Sequence, residues 1–379
     1  MPSNNSDQND TQRMLQDSAR AFVSRSGGVD GARERRSLPA AFDRETWQTM
    51  AENGWFGLLL PEEQGGLGLG FAEAAVVIEE LGRVVAPEPF VSAIVLAGAV
   101  LRDGDNPDLC NEKIENLISG SVIPALAWQE AANVYDPAAI TTRAVPADGG
   151  FLISGTKKFI PAAAGADAFI VSAMGPDGLA LYWVAADAKG LGLSSDRAVD
   201  ETDIGTLTLD GVSVAKDQVL VAKDTAAIMA RAIDEARVCA AAELVGVMKE
   251  AFDITLAYVK QREQFGRPVG KFQALQHRLV DLWIQQELSR DVLGQAVQCF
   301  DSSDDVANRA SEASAAKARC SEAGLLIGRQ SIQLHGGIGY TDAYHIGMYL
   351  KRALVLSAWL GNADMHRKRF ADVAPEVAA

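Results

Sequence analysis

The sequence contains little cysteine and no long uncharged apolar run. Its four cysteines, Cys110, Cys239, Cys299 and Cys320, show no CxxC spacing, so neither a disulfide framework nor a metal site is indicated. No stretch reaches the roughly 18 consecutive apolar residues that a membrane span needs. The N-terminal segment MPSNNSDQND lacks the basic and apolar regions of a targeting peptide. These absences predict a protein of the reducing cytoplasm without a membrane partner.

Basic residues are also in deficit. The 379 residues include 35 lysines and arginines against 50 aspartates and glutamates, which gives a formal net charge of -15. This charge opposes broad electrostatic attraction to nucleic acid or to an anionic membrane. A dinucleotide-binding fingerprint is missing as well, because GGLGLG at 65–70 fails the GxGxxG spacing and no βαβ unit surrounds it. Nucleic acid is therefore not expected as a partner.

Hydrophobic patterning predicts three domains. Residues 1–122 carry helical patterns interrupted by loops, residues 123–222 carry short β-rich runs, and residues 223–379 return to long amphipathic helices. One helix face of the third domain repeats apolar residues at intervals of three and four, namely Val245, Met248, Phe252, Leu256 and Val259. The expected fold is mainly α, with an N-terminal helical domain, a small antiparallel β domain and a C-terminal four-helix bundle.

Two segments near helix ends combine cationic, aromatic and glycine residues. The first, KQREQFGRPVGKFQALQH at 260–277, connects two long helices, and the second is QLHGGIGYTD at 333–342. Backbone N–H groups exposed by a double glycine favour a phosphate. An arginine, aromatic rings and such a glycine pair together indicate a pocket for a pyrophosphate and an adenine. On periodicity alone, the alternative makes Phe265 and Phe272 core anchors and Arg262 a solvated cation at a helix end.

These segments, in this order within a helical, β, helical arrangement, resemble the acyl-CoA dehydrogenase family of flavoproteins. The resemblance extends from about residue 11 and includes PEEQGGLGLG at 61–70 and FLISGTKKFI at 151–160. It implies FAD as cofactor, an acyl-CoA thioester as substrate and electron-transfer flavoprotein as electron acceptor. It also implies which residues hold the ADP half of an FAD that lies mainly in a neighbouring subunit: Arg262, Gln264, Phe265, Phe272, Gln273, Gln333, Gly336 and Gly337.

Around the flavin ring the chain departs from the family's pattern. In LAWQEAANVYDPAAITT, the residues Ala131, Asn133 and Val134 replace the small hydroxyl-bearing loop that the family has there. Phe159 and Pro161 align with a tryptophan and a threonine that contact the flavin in the family. Phe159 can still stack on a ring, but Pro161 offers neither a hydroxyl nor an N–H group.

The catalytic base is the larger departure. Dehydrogenation requires a carboxylate that removes the α-proton of the thioester. Alignment of KRALVLSAWLGNADMH places Gly361 at one of the family's two glutamate positions, and alignment through Arg237 places Ala236 at the other. Glu235 is a fallback candidate and Asp364 a weaker one, although a shift of one residue turns a helical side chain by about 100°. The interpretation is that this subunit does not carry the base.

Within the family, ELGRVVAPEPFVSA, AAAELVGVM and LGNADMHRKRF resemble most closely the small, base-lacking subunit of pimeloyl-CoA dehydrogenase and of steroid side-chain acyl-CoA dehydrogenases. That resemblance implies a two-plus-two heterotetramer with a paralogous subunit, in fatty acid or steroid side-chain catabolism. Three alternatives stay open: a homo-oligomeric dehydrogenase with Glu235 as base, a catalytically silent structural subunit, and a flavin monooxygenase or oxidase on the same fold. The acyl group is not specified, because it depends on the volume of a pocket between helices.

Overall fold

The computed structural model describes residues 10–374 and has the expected mainly helical fold with a β domain in the middle. The helices before the strands are α1 (Asp10–Arg25), α2 (Gly28–Arg36), α3 (Arg44–Glu52), α4 (Phe71–Arg83), α5 (Gly98–Arg102) and α6 (Pro107–Ile118). A π-helical segment, Phe90–Ala97, leads directly into α5. Side chains cap two of these helices: Asp43 accepts a hydrogen bond from Thr46 N–H at α3, and Asn106 accepts one from Leu109 N–H at α6.

The predicted β domain is confirmed as one largely antiparallel sheet. Its strands are β1 (Pro124–Ala127), β2 (Arg143–Ala147), β3 (Gly150–Pro161), β4 (Ala168–Gly175), β5 (Gly178–Ala185), β6 (Leu191–Arg197), β7 (Asp203–Ala215) and β8 (Val219–Val221). They are ordered β6-β7-β3-β2-β4-β5-β8, with β1 also paired to β4. The contacts of β1 and β2 with β4 are parallel and the other pairs are antiparallel, so the sheet is mixed at that point.

Long helices make up the C-terminal part, as expected. They are α7 (Thr225–Gln261), α8 (Gln273–Ser302), α9 (Val306–His335), α10 (Ile346–Ala358) and α11 (Ala363–Val373). Between α7 and α8 lie two short strands, β9 (Glu263–Gln264) and β10 (Arg267–Pro268). Gly82 in α4 and Gly246 in α7 allow these two helices to touch, because a Cβ at either glycine would overlap the backbone of the other helix.

The predicted apolar face of α7 is only part of its buried surface. Val245, Met248, Phe252 and Val259 are buried, and Leu256 is half-buried. However, every residue from 232 to 248 is buried, so this stretch is enclosed on all sides and is not amphipathic. The prediction of a single apolar face therefore does not describe the middle of α7. Charged side chains are buried there as well, and they have partners of their own.

Spatially the described chain divides into two compact units. One contains α1, α4 and the chain from Arg237 onward, and the other contains Arg33–Gly70 and Pro87–Ala236, including the eight-stranded sheet. The predicted boundaries at 122/123 and 222/223 fall in the connections before β1 and after β8. The division into three domains stays a prediction. Among the residues from 10 to 374, no helix is long and apolar enough to cross a membrane.

Candidate functional site

The segment between α7 and α8 folds into a tight hairpin. Arg267 on β10 pairs with Gln264 on β9, so Phe265 and Gly266 form its two-residue turn. Both turn residues have positive φ angles, 54° for Phe265 and 76° for Gly266. This combination is a type I′ turn, whose twist matches that of the flanking strands and whose first position favours asparagine or aspartate.

A phenylalanine at position 265 therefore lowers the stability of the chain itself for two reasons. A left-handed conformation costs a residue with a side chain roughly 1–2 kcal/mol, and the side chain is 91% exposed. Its ring lies edge-on to Phe272, with centroids 6.1 Å apart, and the Arg267 guanidinium carbon lies 4.1 Å from the Phe272 centroid. The interpretation of Phe265 as a core anchor is wrong, because these residues form an aromatic platform that faces outward.

Arg262 and Gln264 present their side chains to solvent from this hairpin. The Arg262 N–H donates to the Tyr258 carbonyl at 2.8 Å, and the Arg262 carbonyl accepts from Val269 N–H at 2.7 Å. The backbone of Arg262 is thus held at both groups while its guanidinium is exposed. Gln273, also exposed, is the first residue of α8. The segment offers the Arg262 cation and an aromatic surface on a fixed backbone.

The second predicted segment begins where α9 ends, at His335. Gly336 has φ 64° and ψ -141°, a conformation that favours glycine. Gly337 has no positive φ, and a Cβ at either glycine would meet no atom within 4 Å. The chain's own packing therefore does not require a glycine at position 337, and the space beside this backbone is open to a ligand. Gln333, one turn earlier in α9, is exposed.

A hydrogen bond that sequence analysis missed links the two segments. The Tyr258 hydroxyl, one turn before Arg262 on α7, donates to the carbonyl of His335 at 3.2 Å. The predicted ADP-side residues consequently follow two helix ends that are tied together within one compact unit. A diphosphate beside the open glycine backbone and a planar base against the aromatic platform suit this donor set. The assignment of individual residues to FAD stays a prediction.

The residues aligned with flavin-ring contacts lie on and near β3 in the other unit. Phe159 has φ 58° and is 39% exposed, at an irregular step in the pairing of β3 with β7. Pro161 ends β3. Ala131 and Asn133 are exposed in the loop after β1, and Asn133 has a positive φ of 59°. Pro161 has neither a hydroxyl nor an N–H group and so contributes no hydrogen-bond donor there.

That loop is closed by a half-buried carboxylate that sequence analysis did not single out. Glu130 accepts hydrogen bonds from the backbone N–H and hydroxyl groups of Thr141 and Thr142, and from Lys157 Nζ at 2.8 Å. Burial lowers the pKa of Lys157 to about 8, although Glu130 opposes this. Burial acts to raise the pKa of Glu130, but Lys157 and the two threonines lower it to about 2. Both groups are charged at neutral pH, and they fix the ends of the loop.

Glu235, the fallback base, is bound by an arginine. It is 2% exposed, and its two carboxylate oxygens accept from Arg102 Nη2 at 2.7 Å and Nη1 at 3.1 Å. Burial acts to lower the pKa of Arg102, but Glu235 and Asp103 raise it above its usual value, so the guanidinium stays charged. Both oxygens of the Glu235 carboxylate are thus occupied by the Arg102 guanidinium.

The other positions considered for a base offer no available carboxylate. Ala236 is completely buried. At the second position Leu360 and Gly361 form a turn with φ angles of 59° and 113°, and a Cβ on Gly361 would overlap the side chains of Met365 and His366. Asp364 is exposed and pairs with Arg367 at 3.0 Å.

Basic side chains hold the turn at Leu360 and Gly361 in place. Lys317 Nζ donates to the Gly361 carbonyl at 3.0 Å, and Arg237 Nε donates to the Leu360 carbonyl at 3.0 Å. His366 Nε2 lies 3.1 Å from the same Leu360 carbonyl. Burial, together with nearby cations, lowers the pKa of Lys317 to about 7 and that of His366 to about 2. The turn is therefore fixed by the hydrogen bonds that Lys317 and Arg237 donate to it.

No group of three or more histidine, cysteine, aspartate or glutamate side chains suited to a metal ion occurs between residues 10 and 374. The four cysteines all lie in this range, are buried and form no disulfide. The outward-facing groups that the structure offers to a cofactor are those of the two helix-end segments.

Comparisons with known proteins cover nearly the whole chain. The model for the acyl-CoA dehydrogenase N-terminal domain matches residues 9–120, and that for the C-terminal domain matches residues 225–374. Acyl-CoA dehydrogenase IpdE2 of Mycolicibacterium smegmatis is 30% identical over 90% of this chain and 91% of that protein.

Solved structures give the same result. A structure described as the Tcur3481-Tcur3483 steroid ACAD G363A variant is 34% identical, with a TM-score of 0.85 over 96% of this chain and 97% of that one. The ChsE4-ChsE5 complex from Mycobacterium tuberculosis is 25% identical, with a TM-score of 0.88 over 98% of this chain and 99% of that one.

Proposed function

Because the chain belongs to the acyl-CoA dehydrogenase family, we propose that it is one subunit of a heteromeric dehydrogenase whose partner chain supplies the catalytic glutamate. The family defines the reaction, an FAD-dependent α,β-dehydrogenation of an acyl-CoA thioester. When bound, FAD accepts the hydride that leaves the β-carbon of the substrate. The division of roles between two chains is the part that we propose.

The observation that carries this proposal is that both positions aligned with the family's glutamate lack an acidic side chain and that the fallback Glu235 is paired with an arginine. Ala236 and Gly361 have no acidic group, and Glu235 is held by both amino groups of the Arg102 guanidinium. Proton abstraction needs a carboxylate within contact distance of the α-carbon. A homo-oligomer that used Glu235 would have to break its two hydrogen bonds with the half-buried Arg102 guanidinium, leaving that guanidinium with one carboxylate fewer, which costs free energy.

This chain would hold the ADP half of FAD. Arg262 supplies a positive charge for the pyrophosphate, Phe265 and Phe272 supply aromatic surface for the adenine, and the open backbone at Gly337 admits a phosphate. Gln264, Gln273, Gln333 and Gly336 complete the proposed set. The flavin-ring contacts would come from the partner, because Pro161 lacks the donor that the family uses.

Relatives support a mixed assembly. Two similar structures are described by a pair of chains each, ChsE4-ChsE5 and Tcur3481-Tcur3483. By analogy we propose a two-plus-two tetramer, in the cytoplasm, with one FAD per heterodimer and electron-transfer flavoprotein as electron acceptor. The Tcur3481-Tcur3483 structure is described as a steroid ACAD, which supports steroid side-chain thioesters as the first substrates to test, beside straight-chain acyl-CoA.

The proposal is tested by comparing the lone chain with the complex purified from its native host. Flavin content is read from absorbance, and turnover from reduction of an electron acceptor with a panel of acyl-CoA thioesters. We expect little turnover by the lone chain, with one FAD per heterodimer and turnover in the complex. A glutamate-to-glutamine substitution in the partner should abolish turnover, whereas Glu235→Gln in this chain should not.

Robust turnover by the lone homo-oligomer, lost in Glu235→Gln, would refute the heteromeric role and make Glu235 the base. A complex that binds flavin equally well with and without Arg262 would instead support a structural subunit that binds none of the cofactor. Oxygen-dependent product formation without dehydrogenation would indicate the third alternative, an oxidase or monooxygenase.

A further inference from the structure

The glycine segment that follows α9 is supported from behind by stacked aromatic rings. His335, the last residue of α9, is 2% exposed. Its ring stacks on that of Tyr258, with centroids 4.4 Å apart and an interplanar angle of 29°, and lies 4.9 Å from the ring of Tyr344. The exposed residues Gly336 and Gly337 follow directly in the chain. The backbone facing the open space is thus continuous with this stack, in which His335 is buried and the two tyrosines are half-buried.

The hydrogen bonds of His335 define the position of its ring. Nδ1 lies 2.7 Å from the Ser331 carbonyl, which can only accept, so Nδ1 carries the proton. Burial lowers the pKa of His335, although the bond to Ser331 opposes this, and the ring is therefore neutral at pH 7. No partner for Nε2 is present among residues 10–374. The ring is oriented through one nitrogen and through stacking.

Tyr258 holds the backbone of His335 as well as its ring. Its hydroxyl donates to the His335 carbonyl at 3.2 Å. This carbonyl belongs to the peptide that joins His335 to Gly336, and carbonyls at the C-terminal end of a helix lack a partner within the helix. Gly336 has φ 64°, outside the helical range, so the direction of this peptide sets the course of the following backbone.

On this basis, and resting on the proposed function, we propose that Tyr258, His335 and Tyr344 form a positioning device that holds the Gly336–Gly337 backbone in the orientation that binds the diphosphate of FAD. None of the three needs to touch the cofactor. Glycines are conformationally permissive, so two in sequence would otherwise sample several orientations, and ordering them upon binding would weaken affinity. The stack orders this backbone before the ligand binds, so that binding does not carry the entropy cost.

Tyr258→Phe tests the device with little change in packing, because it keeps the ring and removes only the hydroxyl. The matched control is Tyr349→Phe. The Tyr349 hydroxyl also donates a hydrogen bond to a backbone carbonyl, that of Arg83 at 2.9 Å, and both residues lie in the same compact unit. Both variants are made in the complex with the native partner. The measurements are the dissociation constant for FAD, added back to the flavin-stripped complex, and the Tm of the stripped complex.

We expect Tyr258→Phe to weaken FAD binding roughly threefold to tenfold, as for the loss of one hydrogen bond, with a change in Tm no larger than that of Tyr349→Phe. Tyr349→Phe should leave FAD binding within twofold of the parent. At the ring, His335→Asn keeps a donor for the Ser331 carbonyl and should recover part of the affinity that His335→Leu loses. A purely structural role for the stack would not produce this separation of affinity from Tm.

The outcomes separate this inference from the proposed function. If the parent complex binds FAD, and Tyr258→Phe loses affinity only in proportion to its Tm as Tyr349→Phe does, the positioning device is refuted and the proposed function stands. If the parent complex binds no FAD, both are refuted. Equal affinities for His335→Asn and His335→Leu would also count against the device, because the bond to Ser331 would then have no effect on FAD.

Discussion

Replacing Phe265 by asparagine should stabilise the chain and weaken its hold on FAD at the same time. Phe265 has a φ of 54° at the first position of a type I′ turn, where asparagine is favoured, and its side chain is 91% exposed. Relief of part of the left-handed strain should raise the free energy of unfolding by about 0.5–1 kcal/mol. Loss of stacking on an adenine should weaken FAD binding by roughly 1–3 kcal/mol, which is about fivefold to more than a hundredfold.

The assay pairs denaturant unfolding of the lone chain with FAD titration of the complex. Phe265→Leu is the control, because it keeps the strained backbone and an apolar side chain but removes the ring. It should lose FAD affinity without gaining stability. If Phe265→Asn gains stability but binds FAD as well as the parent does, the aromatic platform has another purpose. If it gains no stability, the strain argued for this turn is absent.

The remaining predictions concern single side chains. Arg262→Ala should weaken FAD retention in the complex by roughly 1.5–3 kcal/mol, as for loss of a charge-assisted bond, while circular dichroism stays unchanged. Gly337→Val should exclude FAD without unfolding the chain, because a Cβ there meets no atom within 4 Å; a loss of helical signal would refute this. Lys317 has a pKa of about 7 in the folded chain against an ordinary 10.5, so the unfolded chain binds more protons between these values and stability should rise above pH 7, by at most about 1.4 kcal/mol per pH unit. Denaturant titrations at pH 7, 8 and 9 should show this slope in the parent and a flatter one in Lys317→Met.

Sequence patterns were sufficient for the order of elements. The β-rich runs of the middle domain alternate and end in glycine or aspartate, which are local signals. The parallel contact of β1 with β4 had no such signal, because it joins residues more than 40 positions apart, such as Pro124 and Ala168. The complete burial of α7 from 232 to 248 was equally hidden, since buried charges such as Glu235 have partners that periodicity does not reveal.

The candidate site could likewise be predicted from the sequence only in part. The hairpin residues and the double glycine could be identified because each is an unusual residue type at a helix end. The exposure of these residues could not be predicted, and periodicity alone favoured Phe265 as a core residue. Tyr258 was overlooked because an isolated tyrosine on a long helix has no motif, and its role depends on a contact with the His335 carbonyl 77 residues away. Glu130 and Lys157 were overlooked for the same reason, since 27 residues separate the two charges.

The exposed Phe265 and the turn at Leu360 and Gly361 bear differently on what the chain assembles with. An exposed, strained Phe265 suits a surface that FAD or another chain covers, and a second copy of the same chain would serve as well as a paralogue. The turn at Leu360 and Gly361 discriminates between them, because a homo-oligomer would repeat the same side chains at each site and so would lack a base at this position in every copy. Glu235 could compensate only by leaving Arg102, a half-buried arginine whose other acid is Asp103. The closed turn and the pairing of Glu235 therefore both support a different partner chain. A structure of the complex in which Glu235 is released from Arg102 would remove the second of these supports.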